Sequence, residues 1–243
     1  DSFFVKQGVL VKISINSKLF DGKLGLYVDG EGSDHISLHG NMLPLALGVV
    51  PDAYKKNVVN YLITRGMVCS VYGAQYLLEA LYQNGAADYA FELMVALDDR
   101  GWYNMIKSGS TMTMEAWDFK FKNNLDWNHA WGAAPANIIP MYLMGIRPLE
   151  PGFETVIIQP QTGHLEFAEI KFPTIRGAIA LRIQYDGAKL LSYTIVLPSN
   201  MKGVVCFPRT KNVQINGQEA TGEILNGILK IKIESGKYII KEH

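Results

Sequence analysis

The sequence has few cysteines, no excess of charge of either sign and no long apolar run, and each of these gaps excludes a class of protein. Only two cysteines, Cys69 and Cys206, occur in 243 residues, too few for a disulfide framework. Lys+Arg and Asp+Glu both number 23, so no net field attracts nucleic acid or an anionic membrane. No stretch approaches the roughly 18 apolar residues of a membrane-spanning helix. We therefore expect a globular protein with neither nucleic acid nor membrane as a partner.

Common signatures of cofactor and metal sites are also missing. The sequence contains no Walker loop, no dinucleotide-binding glycine fingerprint, no Cys-x-x-Cys pair and no His-Glu-x-x-His motif. We therefore expect no cofactor and no bound metal.

The first part of the chain has the apolar spacing of helices. From about residue 34 to residue 144 apolar residues recur mainly at helical intervals. The predicted helices cover residues 34–47, 51–64, 71–83, 87–97 and 129–144. Ser33 or Asp34 is expected to cap the first helix, and Pro135 and Pro140 are expected to kink the last helix or to start new turns in it. Residues 9–20 fit either a helix or a strand.

From about Phe153 onward the apolar period changes to two, which is typical of strands. The predicted strands cover residues 155–159, 178–185, 192–197 and 229–233. Three dipeptides typical of hairpin turns separate or flank the strands: Asp186-Gly187, Asn216-Gly217 and Ser235-Gly236. The pattern predicts an antiparallel β-sandwich.

The junction between the two parts lies near Pro148, Pro151 and Gly152, through which a helix cannot easily run. We therefore predict one domain over residues 1–146 and a second over residues 147–243. The two cysteines then fall in different domains, so we expect buried free thiols rather than a disulfide.

Side chains suited to sugar binding are concentrated between residues 111 and 134. They are Glu115, Trp117, Trp127, Asn128, His129 and Trp131. The segment falls between predicted helices, where binding groups concentrate. Sugars need indole faces for their C–H surfaces and polar groups for their hydroxyls. Composition alone leaves a second interpretation open, in which the tryptophans belong to the core and the charged groups are solvated.

Two motifs in this segment resemble the bacterial α-L-rhamnosidases of glycoside hydrolase family 78. They are Met112-Thr-Met-Glu115-Ala-Trp117 and Asp126-Trp-Asn-His129-Ala-Trp-Gly-Ala-Ala134. The resemblance continues in Ser37-Leu-His-Gly-Asn41, Gly145-Ile-Arg-Pro-Leu-Glu-Pro-Gly-Phe153 and Ile158-Gln-Pro160. The order of these motifs along residues 21–185 makes the resemblance specific.

The resemblance implies an (α/α)6 barrel followed by a C-terminal β-sandwich, and an enzyme that hydrolyses rhamnose-containing glycans or glycosides with inversion. It implies that Glu115 is the general base and that His129 contacts the sugar. The same sugar is then expected to contact Trp117, Trp127, Asn128, Trp131 and, from the upstream motif, His39 and Asn41. Secretion or a periplasmic location is also an expectation from the family.

An (α/α)6 barrel has twelve helices, whereas the pattern predicts about six. We therefore expect residues 1–146 to form the C-terminal half of a barrel, with the general acid before Asp1. The chain alone is then expected to be inactive and, because its apolar helix faces are incompletely covered, to self-associate. His129 follows Glu115 by only fourteen residues, which indicates a shortened loop.

Two alternatives remain open at this point. The chain could be a non-catalytic carbohydrate-binding or structural module whose tryptophans bind glycan without cleaving it. It could also belong to an (α/α)6 glycosidase that acts on a different sugar. The residues encoded before Asp1 would distinguish the first alternative from the enzyme. Six further amphipathic helices with an acidic loop would support the enzyme.

Overall fold

The computed structural model describes residues 2–208 and 212–242, which form two compact units divided after Pro135. The first unit is mainly helical and the second is built mainly from strands, as the change of apolar period predicts. The domain boundary after residue 146 stays a prediction. No helix among the described residues is long and apolar enough to cross a membrane.

The helical unit follows most of the predicted helices. Its main helices are α1 Ser2–Lys18, α2 Leu38–Ala46, α3 Lys55–Arg65, α4 Gly73–Gln83, α5 Ala87–Val95 and α6 Trp102–Lys107. A two-stranded hairpin, β1 Phe20–Asp21 and β2 Leu26–Tyr27, lies between α1 and α2. The ambiguous residues 9–20 are therefore helical as far as Lys18.

Helix α4 is the most buried element of this unit and packs against α2, α3 and α5. Its side chains Leu77, Leu78 and Leu81 are fully buried. Each contributes roughly 1.5–3 kcal/mol relative to an exposed leucine. Ser70 Oγ accepts a hydrogen bond from Gly73 N at 3.0 Å, so the start of α4 is fixed by a side chain as well as by burial.

Helix α2 begins at Leu38, and its cap is Ser37 instead of Ser33 or Asp34 as predicted. Ser37 Oγ accepts a hydrogen bond from Gly40 N at 2.9 Å. The predicted caps are wrong because Asp29 holds Ser37 in an extended conformation: its Oδ1 accepts from Ser37 N and Oγ at 3.1 and 2.7 Å.

No side chain of α1 is buried. Its large exposed apolar residues are Phe3, Phe4, Val5, Val9, Leu10, Val11 and Ile13. This surface is consistent with the expected self-association, which stays a prediction that light scattering of the chain would test.

The predicted helix over residues 129–144 is not continuous. The chain forms a 3-10 turn at Ala130–Gly132, a short helix α7 at Ala134–Ile138 and a π-helical turn at Ile139–Leu143. Pro140 lies at the start of the π turn, where its missing N–H removes a regular helical hydrogen bond. The prolines therefore start new turns, which is one of the two outcomes predicted for them, and the helix is divided into short pieces.

The second unit contains two sheets. The six-stranded sheet has the order β10-β9-β13-β7-β6-β5, and the five-stranded sheet has the order β11-β12-β8-β4-β3. The strands are β3 Ile146–Pro148, β4 Thr155–Ile158, β5 Phe167–Thr174, β6 Gly177–Asp186, β7 Lys189–Leu197, β8 Lys202–Pro208, β9 Val213–Ile215, β10 Gln218–Glu219, β11 Glu223–Leu225, β12 Ile228–Ile233 and β13 Gly236–Glu242.

The two sheets form a sandwich by facing each other with their buried side chains. Tyr193 of β7 and Phe207 of β8 meet edge to face, with ring centroids 6.3 Å apart. Side chains alternate between buried and more exposed along β6 and β7, as expected for strands that cover a core on one face. The described thiols, Cys69 and Cys206, are free and buried, as predicted.

Two details of the sandwich differ from the prediction. Strands β4 and β8 pair in parallel, so the sheets are not wholly antiparallel. Ser235-Gly236 joins β12 to β13, which lie in different sheets, so this dipeptide is a crossover rather than a hairpin turn. The other two predicted hairpin turns join β6 to β7 and β9 to β10, and Asn226-Gly227 forms a further one between β11 and β12.

Gly145 is a position in the sandwich unit where no side chain can be accommodated. Its φ is 70°, and a Cβ there would overlap the backbone carbonyl of Gln159, whose N–H donates to Gly145 O at 3.0 Å. Gly187 has a similar φ of 54° but open space around it. Substitutions at the two glycines therefore distinguish the cost of backbone strain from the cost of steric overlap.

We expect Gly145→Ala to destabilise the unit by about 3 kcal/mol or more, because overlap adds to a strained φ. Gly187→Ala, the matched control, is expected to cost about 1 to 2 kcal/mol from strain alone. All four tryptophans lie in the helical unit, so hydrogen exchange of the β4 amides is the appropriate measurement. Equal loss of protection in both variants would contradict the steric explanation.

Candidate functional site

Two short segments, residues 113–115 and 126–129, are joined by three hydrogen bonds that we call the loop clamp. Glu115 N donates to Asp126 O at 2.9 Å, and His129 N donates to Thr113 O at 2.8 Å. Thr113 Oγ1 donates to His129 O at 2.7 Å. The clamp closes the loop of residues 116–125 at its base and keeps Glu115 and His129 on neighbouring segments.

The Glu115 carboxylate is held at both oxygens. Lys122 Nζ forms an ion pair with Oε1, and Asp126 N donates to Oε2 at 3.2 Å. The hydrogen bond from Lys122 is the main reason that the pKa of Glu115 lies below its ordinary value, and the Asp126 N–H and the charges of Lys122 and His129 act in the same direction. Glu115 is therefore ionised at neutral pH, with a quarter of its side-chain surface exposed.

The half-buried His129, at the end of the second segment, and the exposed Trp131, two residues beyond it, form one accessible surface. Their rings are nearly perpendicular, with centroids 5.5 Å apart. Trp131 is 67% exposed, and its ring also contacts Tyr72, with centroids 5.4 Å apart. An exposed indole beside an imidazole offers both a stacking face and a directional hydrogen bond.

Trp117 lies in the core instead of at the surface. It is 1% exposed, its Nε1 donates to Cys69 O at 2.7 Å, and its ring meets Trp102 edge to face at 4.9 Å. Because no face of the indole is available for stacking, we reassign Trp117 from the predicted sugar contact to a support beneath the clamp.

Trp127 and Asn128 are both exposed. The Trp127 ring contacts Phe119 of the clamped loop, with centroids 5.1 Å apart. Trp127 is thus placed against the loop, whereas Trp131 is placed against His129. The predicted sugar contacts of Trp127 and Asn128 remain predictions.

The upstream candidates His39 and Asn41 both lie on α2 but differ in accessibility. His39 is exposed. Asn41 is fully buried: its Oδ1 accepts from Tyr27 N at 2.9 Å, and its Nδ2 donates to Tyr27 O and Ser37 O, both at 3.0 Å. Asn41 therefore joins α2 to the β1–β2 hairpin, and its predicted sugar contact is replaced by this structural role.

The helical unit also contains a cleft that does not include Glu115 or His129. Among its lining residues are Asp98, Asp99, Arg100 and Phe121. Two of the charged groups there already have partners, since Arg100 lies over the Phe121 ring at 4.0 Å and Asp99 pairs with Lys120. We therefore favour the open surface at Glu115 and His129 over this cleft.

A metal is not accommodated by any group of residues that the structure describes. Within residues 2–208 and 212–242, no set of three or more His, Cys, Asp and Glu side chains is arranged to hold one.

Several residues of the site are not predictable from the sequence. Lys122 lies in the alternating Phe119-Lys-Phe-Lys122 run, which has the composition of a solvated loop. Asn104 is buried in α6, where its Nδ2 donates to Trp117 O at 2.9 Å and to Asp118 Oδ2 at 2.8 Å. Tyr72 precedes an apolar helix and has the pattern of a core residue. In each case the contact is formed through the tertiary fold and not within one helix or strand, so no periodic signal identifies it.

Two family models match the chain in sequence. The model described as the bacterial alpha-L-rhamnosidase 6 hairpin glycosidase domain matches residues 4–143, and that described as the bacterial alpha-L-rhamnosidase C-terminal domain matches residues 145–222. The segment that contains the loop clamp lies within the first match.

Two curated relatives are both alpha-L-rhamnosidases. The protein from Alteromonas sp. is 30% identical over 115 residues, which cover 44% of this chain and 12% of the relative. The protein from Streptomyces avermitilis is 25% identical over 181 residues, which cover 69% of this chain and 18% of the relative. The chain thus matches less than a fifth of the length of either relative.

Solved structures of similar fold include two bacterial alpha-L-rhamnosidases. The enzyme named from Dictyoglumus thermophilum matches all of this chain with a TM-score of 0.85 and 21% identity, over 28% of its own length. The S. avermitilis enzyme, solved with L-rhamnose, matches 98% of this chain with a TM-score of 0.79 and 20% identity, over 24% of its length. At these identities the likeness establishes the fold alone.

The Lys122–Glu115 pair can be tested without any substrate. We expect Lys122→Met to raise the pKa of Glu115 towards its ordinary value, because the largest cause of its lowering is removed. Carbon-detected NMR titration of the Glu115 carboxyl measures this directly. The wild-type pair stabilises the fold above the unfolded pKa, and this stabilisation disappears as the pH falls through the lower folded pKa.

Lys120→Met is the matched control, because Lys120 pairs with Asp99 and lies two residues away in the same loop. It should leave the Glu115 titration unchanged. An equal upward shift in both variants would mean that general loop charge, not the Lys122 contact, sets the pKa of Glu115.

Proposed function

Because the chain belongs to the bacterial α-L-rhamnosidase six-hairpin glycosidase family, we propose that it carries the water-activating half of an inverting α-L-rhamnosidase site. The observation that supports this most strongly is the ionised Glu115 carboxylate, held beside His129 by the loop clamp. The expected substrate is a glycan or glycoside with a terminal L-rhamnose.

Glu115 is the general base in this proposal. A base must be ionised before reaction and must reach a proton of the attacking water. Lys122 and the Asp126 N–H favour the ionised form, and partial exposure leaves the carboxylate accessible. Inverting glycosidases keep their two carboxyl groups roughly 6.5–9.5 Å apart so that a water fits beside the sugar.

The proposed step balances as a displacement at the anomeric carbon. The water oxygen bonds to that carbon and loses a proton to Glu115, while the bond from the carbon to the leaving oxygen breaks. The leaving oxygen takes a proton from a general acid, a role that we assign to no residue in the described part of the chain.

His129 and Trp131 are the sugar-binding groups. The imidazole is suited to a hydrogen bond with a sugar hydroxyl, and the exposed Trp131 ring to contact with the C–H face. Trp127, Asn128 and His39 are exposed and remain candidate contacts. The choice of sugar is supported by the S. avermitilis alpha-L-rhamnosidase of the same fold, whose structure is a complex with L-rhamnose.

A second candidate function is glycan binding without cleavage. It is favoured by the ion pair between Glu115 and Lys122, because a paired carboxylate has a lower proton affinity than a free one. The two functions differ in whether neutralising Glu115 affects turnover or only binding.

The test compares the 243-residue chain with a version extended upstream by about six helices, on an aryl α-L-rhamnoside. We expect the longer protein to hydrolyse it and the short chain not to. Glu115→Gln in the longer protein should reduce kcat by about 10²- to 10⁴-fold. Glu92→Gln, an exposed carboxylate on α5, serves as the control and should leave kcat unchanged.

Two results would contradict this proposal. Full activity of the longer Glu115→Gln variant would remove Glu115 from the reaction. Turnover by the short chain close to that of the long one would show that the general acid lies within these 243 residues. Binding of rhamnose with no turnover by either form would favour the binding module.

A further inference from the structure

One face of the otherwise buried helix α4 is only partly covered. Its opposite face carries the buried leucines of the helical core. The partly exposed face is formed by the exposed Tyr72 and the half-buried Gln75, Tyr76 and Glu79, whose spacing of three and four residues places them on one side of a helix. Tyr72 is 48% exposed, although its position before an apolar helix suggests a core residue.

The side chains of this face are ordered by contacts with one another. The hydroxyls of Tyr72 and Tyr76 share a hydrogen bond of 3.2 Å, and their rings meet edge to face at 5.7 Å. Gln75 Nε2 donates to Glu79 Oε1 at 2.5 Å. The face therefore combines preorganised aromatic rings with an amide and a carboxylate at its edge.

This face continues the surface at the candidate site. Tyr72 contacts Trp131 at 5.4 Å, and Trp131 contacts His129 at 5.5 Å. We call Trp131, Tyr72 and Tyr76 the aromatic shelf. Successive ring contacts lead from His129 along the shelf to Tyr76.

We propose that the aromatic shelf binds a second sugar, the pyranose ring to which the L-rhamnose at Glu115 and His129 is attached. The inference rests on the proposed function for the first sugar and adds to it the class of group that follows. Its novel residues are Tyr72 and Tyr76.

The chemistry of the shelf favours a sugar over an apolar partner. Covering the tyrosine hydroxyls, Gln75 and Glu79 with an apolar surface would remove their access to water without replacing their hydrogen bonds, which is unfavourable. A pyranose offers C–H groups to the rings and hydroxyls to the polar edge. The side chains are also already ordered, so little conformational freedom is lost on binding.

The experiment uses the 243-residue chain and three ligands that share L-rhamnose: the free sugar, an α-L-rhamnosyl-glucopyranose disaccharide and an aryl α-L-rhamnoside. Affinities are measured by NMR titration. We expect the disaccharide to bind about 10-fold more tightly than L-rhamnose, the size of effect that one stacked ring supplies.

Tyr76→Ala is the decisive variant, since Tyr76 lies furthest from His129 along the shelf. It should remove most of the disaccharide's advantage and leave the affinity for L-rhamnose unchanged. Tyr76→Phe retains the ring and should retain the advantage. Tyr103→Ala on α6 is the control, because Tyr103 has the same 48% exposure as Tyr72 but lies outside the shelf.

Saturation-transfer NMR on the unaltered chain gives a second measurement that does not depend on the variants folding. Protons of the glucose ring should receive saturation together with those of the rhamnose ring. Saturation confined to the rhamnose ring would overturn the proposal.

The remaining outcomes distinguish failure of the aromatic shelf from failure of the proposed function. Equal affinity for L-rhamnose and the disaccharide, or equal losses in Tyr76→Ala and Tyr103→Ala, would overturn the shelf while leaving the proposed function intact. Tighter binding of the aryl rhamnoside than of the disaccharide would contradict a pyranose as its occupant. Absence of L-rhamnose binding at Glu115 and His129 would overturn both.

Discussion

The hydrogen bonds of the loop clamp are the interaction on which the candidate site depends. They bring together Glu115 and His129, which are otherwise separated by a loop that is free to adopt many conformations. Closing such a loop has an entropic cost that grows slowly with its length, whereas each clamp hydrogen bond contributes about 0.5–1.5 kcal/mol. Contacts of the loop with the core add to the clamp in offsetting this cost.

Support for the clamp comes from tryptophans that are buried or half-buried, Trp117 and Trp102. Trp117, near the start of the loop, anchors it to the core by donating its indole N–H to Cys69 O, and Trp102 Nε1 donates to Gly132 O at 2.6 Å. A Cβ on Gly132 would come within 2.9 Å of Met114 O, so this position lets the second segment approach the first closely. The tryptophan-rich segment thus contributes an exposed ring, Trp131, and a buried ring, Trp117, which anchors the loop to the core.

The sequence predicts the fold further than it predicts the site. The change of apolar period distinguishes helices from strands, because an element that is buried on one side has apolar residues at the period of its own geometry. Ser37 is not predictable as the cap of α2, because Asp29 selects it through space. Likewise Ser235-Gly236 has the composition of a hairpin turn, and only long-range pairing assigns β12 and β13 to different sheets.

Within the site, the family motifs identify Glu115 and His129, but residue type does not reveal which neighbours are exposed. Trp117 and Trp131 are equally suited to stacking as isolated side chains, and tertiary packing alone decides between them. A direct measurement is an NMR titration of the chain with L-rhamnose that follows the Glu115 carboxyl and the His129 ring together. We expect both signals to shift with one common dissociation constant, because the clamp presents them to the same sugar. Shifts confined to the cleft lined by Arg100 and Phe121, with Glu115 and His129 unchanged, would contradict the assigned site.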